Sequence, residues 1–203
     1  MLKVALTGGI ATGKSYVLDQ FRRCGLACLD ADELAHGVMA AQTEATTAIV
    51  ARFGTGILAQ DGSVDRKKLG PIVFADASAR RELEAIVHPA VYRAIAMGVR
   101  AFEMMGDTLA IVDVPLLYET GAEKQFDRVI VTACPPEMQL ARLLERGLTE
   151  AAARQRLAAQ WPTEKKTSHA DFVVNTGGAF AETDAQIARL TQLLRSDPQI
   201  LKS

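Results

Sequence analysis

The sequence predicts an α/β fold built on a mostly parallel, five-stranded sheet. Five short apolar runs, several rich in Val and Ile, show little of the alternation that a half-exposed strand would carry. Strands covered on both faces need such near-continuous apolar runs. Helical spacing fills the stretches between them, and a glycine-rich loop joins the first run to the first helix.

The runs are Val4–Thr7, Ala27–Leu29, Leu109–Val114, Val129–Thr132 and Phe172–Val174. Past Lys14, the residues Val17, Leu18, Phe21 and Cys24 recur at helical spacing, and Gly25 supplies a stop. Residues 78–105 hold long helical stretches, with a boundary expected near His88-Pro89, because the residue before a proline is pushed out of the α region. Pro136–Arg146 reads as a helix with Leu140, Leu143 and Leu144 facing inward. Glu150–Gln160 reads as another, with Ala153, Leu157 and Trp161 on its buried side. Thr183–Arg195 is the last, ahead of a tail, Ser196–Ser203, expected to fray.

The spacing is uneven. About twenty residues separate the first two runs and about eighty the second from the third, far more than a crossover helix needs. The excess, roughly 40–105, is expected to be a helical insertion that could hold a substrate within one domain spanning 1–203.

A chain of 203 residues that is 49% hydrophobic can bury a sizeable core. Its net charge of −1 gives no global basic field, so neither nucleic acid nor a membrane surface is an expected partner. Cys24, Cys28 and Cys134 are odd in number and match neither a zinc pattern nor a disulfide framework, and the apolar surroundings of Cys24 and Cys28 predict core packing for those two. The chain runs straight into an apolar strand with Lys3 the only charged side chain ahead of the glycine loop, so no signal peptide is expected, and no apolar run reaches the roughly 18–20 residues of a membrane span. The expected location is cytoplasmic.

Gly8-Gly9-Ile10-Ala11-Thr12-Gly13-Lys14-Ser15 matches the pattern G-x-x-x-x-G-K-[ST]. A strand leads in and an amphipathic helix leads out, so backbone N–H groups and a helix N-terminus converge on an anion. Gly8 and Gly13 let the chain turn where side chains would clash or bar phosphates. The Lys14 ammonium can reach β- and γ-phosphates, and the Ser15 hydroxyl can ligate Mg²⁺. Gly9, Ala11, Thr12, Gly13, Lys14, Ser15 and Tyr16 are therefore the expected ATP contacts.

A kinase fits better than a guanine-specific switch protein. The last strand ends in Asn175-Thr176-Gly177-Gly178, without the lysine and aspartate of a guanine reader, and Asp113-Val114-Pro115-Leu116 replaces a switch motif after the third strand. Asp30-Ala31-Asp32 lies at the carboxyl end of the second strand, where ligands bind in open parallel sheets. A carboxylate there could take a proton from an alcohol; the competing role is a helix cap, more strongly for Asp30 than for Asp32. Arg142 and Arg146, four apart, share a helix face distinct from that of the leucines. They could cover a transferring phosphoryl from a mobile lid, or form a solvated face with Glu145 as partner.

Together these residues resemble the dephospho-coenzyme A kinase family along nearly the whole chain. The resemblance runs through Leu6–Ile10 with Gly13-Lys14-Ser15, then Leu29–Asp32, then Leu83-Glu84-x-Ile86-x-His88-Pro89. It continues through Pro115-Leu116-Leu117-Tyr118-Glu119, Gln139-x-x-Arg142-x-x-x-Arg146 with Gln160, and Ala170-Asp171-x-Val173-x-Asn175. It implies a P-loop kinase-like three-layer fold and a three-part architecture: a nucleotide-binding core, a helical coenzyme A subdomain, and a lid over roughly 139–168. It also implies that ATP, with Mg²⁺, phosphorylates the ribose 3′-hydroxyl of 3′-dephospho-coenzyme A. By that resemblance Asp32 is the general base and Asp30 mainly structural. Lys14 holds phosphates, Ser15 holds Mg²⁺, and Arg142 and Arg146 close over the phosphoryl. Asn175 lies near the adenine, and His88, Leu116 and Glu119 are on the acceptor side. For His88, a histidine before proline could instead satisfy a buried carbonyl.

The chain departs from the family where Ala11 replaces a usual glycine and Tyr16 a common threonine. A methyl at position 11 is tolerated if the backbone keeps a negative φ. Asp113 stands where the family need not have an acid, and orienting Mg²⁺ through water is one role for it. The remaining readings are a P-loop kinase for another acceptor and a nucleotide-binding module without turnover.

Overall fold

The computed structural model describes residues 1–197. The sheet contains β1 (Leu2–Gly8), β2 (Ala27–Asp30), β3 (Leu109–Asp113), β4 (Arg128–Ala133) and β5 (Phe172–Asn175), in the order β2-β3-β1-β4-β5. β1 runs parallel to β3 and β4, and β4 parallel to β5. All five expected strands are present. β2 and β3 lie on one side of β1 and β4 and β5 on the other, so the winding direction reverses at β1. Open sheets bind ligands outside the carboxyl end of such a switch point. Register delivers residues to that end: Leu6 lies opposite Asp113, and Gly8 opposite Thr132.

The chain divides into two compact units, Asp30–Arg100 and the remainder. In the sheet-bearing unit, α1 (Lys14–Arg23) buries Val17, Leu18 and Phe21, the residues whose spacing predicts it. They pack with Leu6, Ile111 and Ile130 of the strands and with Ile187 and Leu194 of α9 (Phe180–Arg195). Cys24 and Cys28 pack against this core, and all three cysteines are free. Burial pushes the Cys28 thiol up to about 12, as suits a packing residue.

The other unit is helical: α2 (Ala31–Val38), α3 (Glu44–Phe53), α4 (Arg66–Ala75) and most of α5 (Ala77–Met104). Its core centres on Met39, Ile49, Ile57, Val64 and Leu69, with Leu83, Ile86 and Val87 of α5 packed against them. Three more helices, α6 (Pro136–Glu145), α7 (Glu150–Ala158) and α8 (Thr163–Thr167), lie between β4 and β5 in the chain. No helix among the described residues is long and apolar enough to cross a membrane.

Three expectations are corrected. α5 does not break at His88-Pro89 but runs for 28 residues with Pro89 inside. The proline denies the Ala85 carbonyl its helical donor, a cost of about 3 kcal/mol. The partly buried Leu83, Ile86 and Val87 before the proline and the buried Val91 and Ile95 after it offset that cost, since a fully buried side chain of this kind contributes about 1.5–3 kcal/mol and a partly buried one less. Leu144 is 41% exposed rather than inward, and Gln139, one turn before Leu143, takes the buried place beside it. In the tail, Asp197 is buried and pairs with Arg128 at 3.0 Å, so the start of that segment is anchored. Residues 198–203 of the expected frayed tail lie outside the described residues.

Candidate active site

The phosphate-binding loop is shaped by backbone geometry. Gly13 caps α1 at φ +82°, a left-handed conformation that glycine adopts freely. No side chain caps α1 and no acid stands in its first turn, so its first N–H groups are left for an anion. Three threonines brace the loop: Thr12 Oγ1 donates to the Gly9 carbonyl (2.7 Å) and meets Thr132 Oγ1 (2.7 Å), while Thr176 Oγ1 donates to the Thr12 carbonyl (2.6 Å). Gly9 is required by close approach, since a β-carbon there would lie 2.6 Å from Gln139 Nε2 and from Thr163 Oγ1.

Ala11 fails the condition set for it. Its φ is +62°, so the methyl sits on a left-handed residue, a conformation that costs an L-residue about 1–2 kcal/mol. The methyl is buried against Leu143 and Ala153 with Leu140 and Leu157 around them, and that contact offsets part of the strain. We expect Ala11→Gly to change stability by less than about 1 kcal/mol, because relieved strain is balanced by lost packing and unfolded-state entropy. Thermal unfolding of the two proteins checks this.

Lys14 Nζ is held by both carboxylate oxygens of Asp113, whose side chain is 2% exposed. The register of β1 and β3 brings this acid beside the loop. In this structure Asp113 therefore positions the loop lysine. Ser15, in the first turn of α1, is exposed with its hydroxyl free among the described residues. One hydroxyl oxygen suits Mg²⁺, which retains waters and takes its other ligands from substrate phosphates. No cluster of three or more His, Cys, Asp or Glu suited to a metal occurs among the described residues.

A cavity of about 290 Å³ opens beside the loop, lined by Ala11, Gly13, Tyr16, Arg142, Arg146 and Thr176, among others. Both arginines thus face the cavity beside the loop. Arg142 donates to the carbonyls of Ala11 (3.1 Å) and Thr176 (2.8 Å), while Arg146 is exposed at the end of α6. Neither pairs with Glu145 among the described residues. Tyr16 donates to Asp184 (2.7 Å) and packs on Phe180. Asn175 Oδ1 accepts the Gly177 N–H (2.8 Å), so this side chain shapes the turn at the cavity's edge.

Helices α6 to α8 grip the loop at several points. Gln139 Nε2 donates to the Ile10 carbonyl (2.7 Å), and Gln160 Oε1 accepts the Ile10 N–H (3.0 Å). Glu119, expected on the acceptor side, directs Oε1 toward this segment, accepting the Trp161 backbone N–H (2.9 Å) and pairing with Lys166 (2.8 Å). Leu116 is 42% exposed in the same turn after β3. Lys166 reads in the sequence only as one more cation following Arg142 and Arg146. Its burial becomes visible only once α8 and the β3 turn meet.

In the helical unit, Asp30 and Asp32 differ in what they contact. Asp30 Oδ1 accepts the N–H groups of Asp32 (2.8 Å) and Glu33 (3.3 Å), making it the N-cap of α2. The Asp32 carboxylate is exposed and has no hydrogen-bond or ion-pair partner among the described residues. His88 lines a mostly apolar cavity of about 230 Å³ with Arg66, Leu69, Val73 and Leu83. Its ring makes no hydrogen bond to a carbonyl among the described residues.

Known proteins bear on this arrangement. A family model described as dephospho-CoA kinase matches residues 2–182. The dephospho-CoA kinase of Geobacillus kaustophilus is 44% identical over 187 residues, covering 92% of this chain and 93% of its own. That of Geobacter metallireducens is 46% identical over 192 residues, covering 94% and 95%. Among solved structures, the dephospho-CoA kinase from Campylobacter jejuni superposes with a TM-score of 0.73 at 28% identity, covering 96% of this chain and 97% of that one. With a phosphate loop, a braced lysine and two arginines lining the cavity beside the loop along the matched length, this chain belongs to the dephospho-CoA kinase family.

Proposed function

We propose that this ATP-dependent kinase transfers the γ-phosphoryl group of ATP to the ribose 3′-hydroxyl of 3′-dephospho-coenzyme A, giving ADP and coenzyme A in the last step of coenzyme A biosynthesis. The observation that carries the reading is an intact phosphate loop, with Lys14 presented by Asp113, inside a family match covering residues 2–182.

The loop amides and the N-terminus of α1 hold the β- and γ-phosphates, and Lys14 offsets the charge that moves to the leaving oxygen. The base and ribose of ATP occupy the cavity beside Tyr16 and Asn175. Arg142 and Arg146, on a lid spanning roughly 139–168, close over the phosphoryl. The unit Asp30–Arg100 serves as the acceptor subdomain, with His88 and its cavity on the acceptor side and Leu116 contributing from the β3 turn. Asp32 accepts the proton of the 3′-hydroxyl as that oxygen attacks phosphorus, and Asp30 holds the helix that carries it. Mg²⁺, bound with ATP through Ser15, would neutralise phosphate charge. The location consistent with this reaction is the cytoplasm.

The test is an ADP-release assay with ATP and Mg²⁺, run with dephospho-coenzyme A and with AMP as acceptors. Turnover on the first alone is expected. Turnover on AMP alone would keep the kinase and discard the acceptor.

A further inference from the structure

We propose that Lys166 is a positioning residue for the phosphate-binding loop, latched by Glu119, with Trp161 reporting the state of the latch. The proposal rests on the kinase reading and adds to it a residue that touches neither substrate.

Lys166 is fully buried, at 0% side-chain exposure. Its ammonium has three protons and faces three acceptors: Glu119 Oε1 at 2.8 Å, the Pro115 carbonyl at 3.3 Å and the Gly8 carbonyl at 3.4 Å. These come from the turn after β3 and from the last residue of β1. Gly8 opens the loop and has no side chain by which it could be fixed, so its carbonyl is the available handle. Beside this junction Glu119 also accepts the Trp161 N–H, and the adjacent Gln160 accepts the Ile10 N–H. The segment 160–166 thus holds the loop at Gly8 and at Ile10.

Stability does not require this arrangement. Replacing a buried ion pair by well-packed apolar residues is often neutral or favourable, because desolvating both charges offsets their attraction. An apolar pair could fill the volume but could not hold two carbonyls in fixed directions. Direction is what the loop needs, since its amides must face the phosphates before ATP arrives.

Trp161 is the only tryptophan in the chain. Its ring stacks on Tyr118 at 5.8 Å with 6° between planes, and the Lys165 ammonium lies 3.4 Å over its face. A shift of segment 160–166 changes those neighbours and therefore its emission.

The test compares wild type, Lys166→Met and Lys166→Met/Glu119→Leu by thermal unfolding, by calorimetric titration with ADP, and by Trp161 emission during the same titration. Lys166→Met is expected to lower Tm, because it leaves the Glu119 charge buried. The double variant is expected to recover most of that Tm, yet to bind ADP at least tenfold more weakly than wild type and to lose the emission change. Recovered Tm with wild-type ADP affinity would overturn the proposal and leave the pair a packing element. If the double variant does not fold, Glu119→Gln preserves shape; a threefold or greater loss of ADP affinity is expected, and affinity within twofold of wild type would overturn the proposal. ADP binding requires no acceptor, so these outcomes stay separate from the identity of the acceptor.

Discussion

Asp32→Asn is expected to lower kcat by about 10²–10⁴-fold, the range that general acid–base groups contribute. At 1.36 kcal/mol per decade this removes about 2.7–5.4 kcal/mol of transition-state stabilisation. The amide keeps the shape of the side chain but cannot accept the hydroxyl proton. The KM for ATP and the Tm should stay near wild type, because the Asp32 carboxylate is exposed and makes no hydrogen bond or ion pair among the described residues. Asp30→Ala provides the contrast. It removes an N-cap that accepts two backbone N–H groups and should cost about 1 kcal/mol of stability, with a much smaller effect on kcat. If the two variants exchanged these phenotypes, the base would be Asp30 and the assignment would fall. Steady-state ADP release and thermal unfolding decide between them.

The second large effect is expected at Lys14, where loss of function and loss of stability can be separated. Lys14→Met should reduce kcat by at least about 10²–10³-fold, as removing a donor to developing charge does. It should also unfold at a lower temperature, because it withdraws a cation from the carboxylate of Asp113, which is 2% exposed. Breaking such a pair from one side costs about 3–5 kcal/mol, or a Tm fall of about 10 °C in a chain of this size. Lys14→Met/Asp113→Asn should regain most of the Tm while turnover stays lost. A double variant that recovered turnover would show that Lys14 serves the fold alone.

Much of the site was legible because its information is local. The run 4–7, the glycines that follow and the spacing of Val17, Leu18 and Phe21 set a strand, an anion-binding turn and a helix within twenty residues, each by its own short-range rule. The different contacts of Asp30 and Asp32 are half legible. An acid before a helix is a cap by position, but only the structure shows that Asp30 accepts the backbone N–H groups while the Asp32 carboxylate has no partner among the described residues. Ala11 was read through a condition on φ, and the fold supplied the opposite sign together with the packing that makes it tolerable.

Other features belonged to tertiary structure. Pro89 predicted a break, but no local rule weighs one lost hydrogen bond against the apolar side chains that hold α5 together on both sides of it. Leu144 and Gln139 exchanged places because the partner of α6 is the phosphate loop, whose Ile10 carbonyl needs a donor that a leucine lacks. Lys14 meets Asp113 across 99 residues of chain and Lys166 meets Gly8 across 158, through parallel strands whose order no run of residues encodes. Local pattern thus specifies the phosphate loop, the sheet class and the family. Which charges are buried and which acceptors they face follows from the folded chain, because burial and pairing are properties of residues brought together from distant positions.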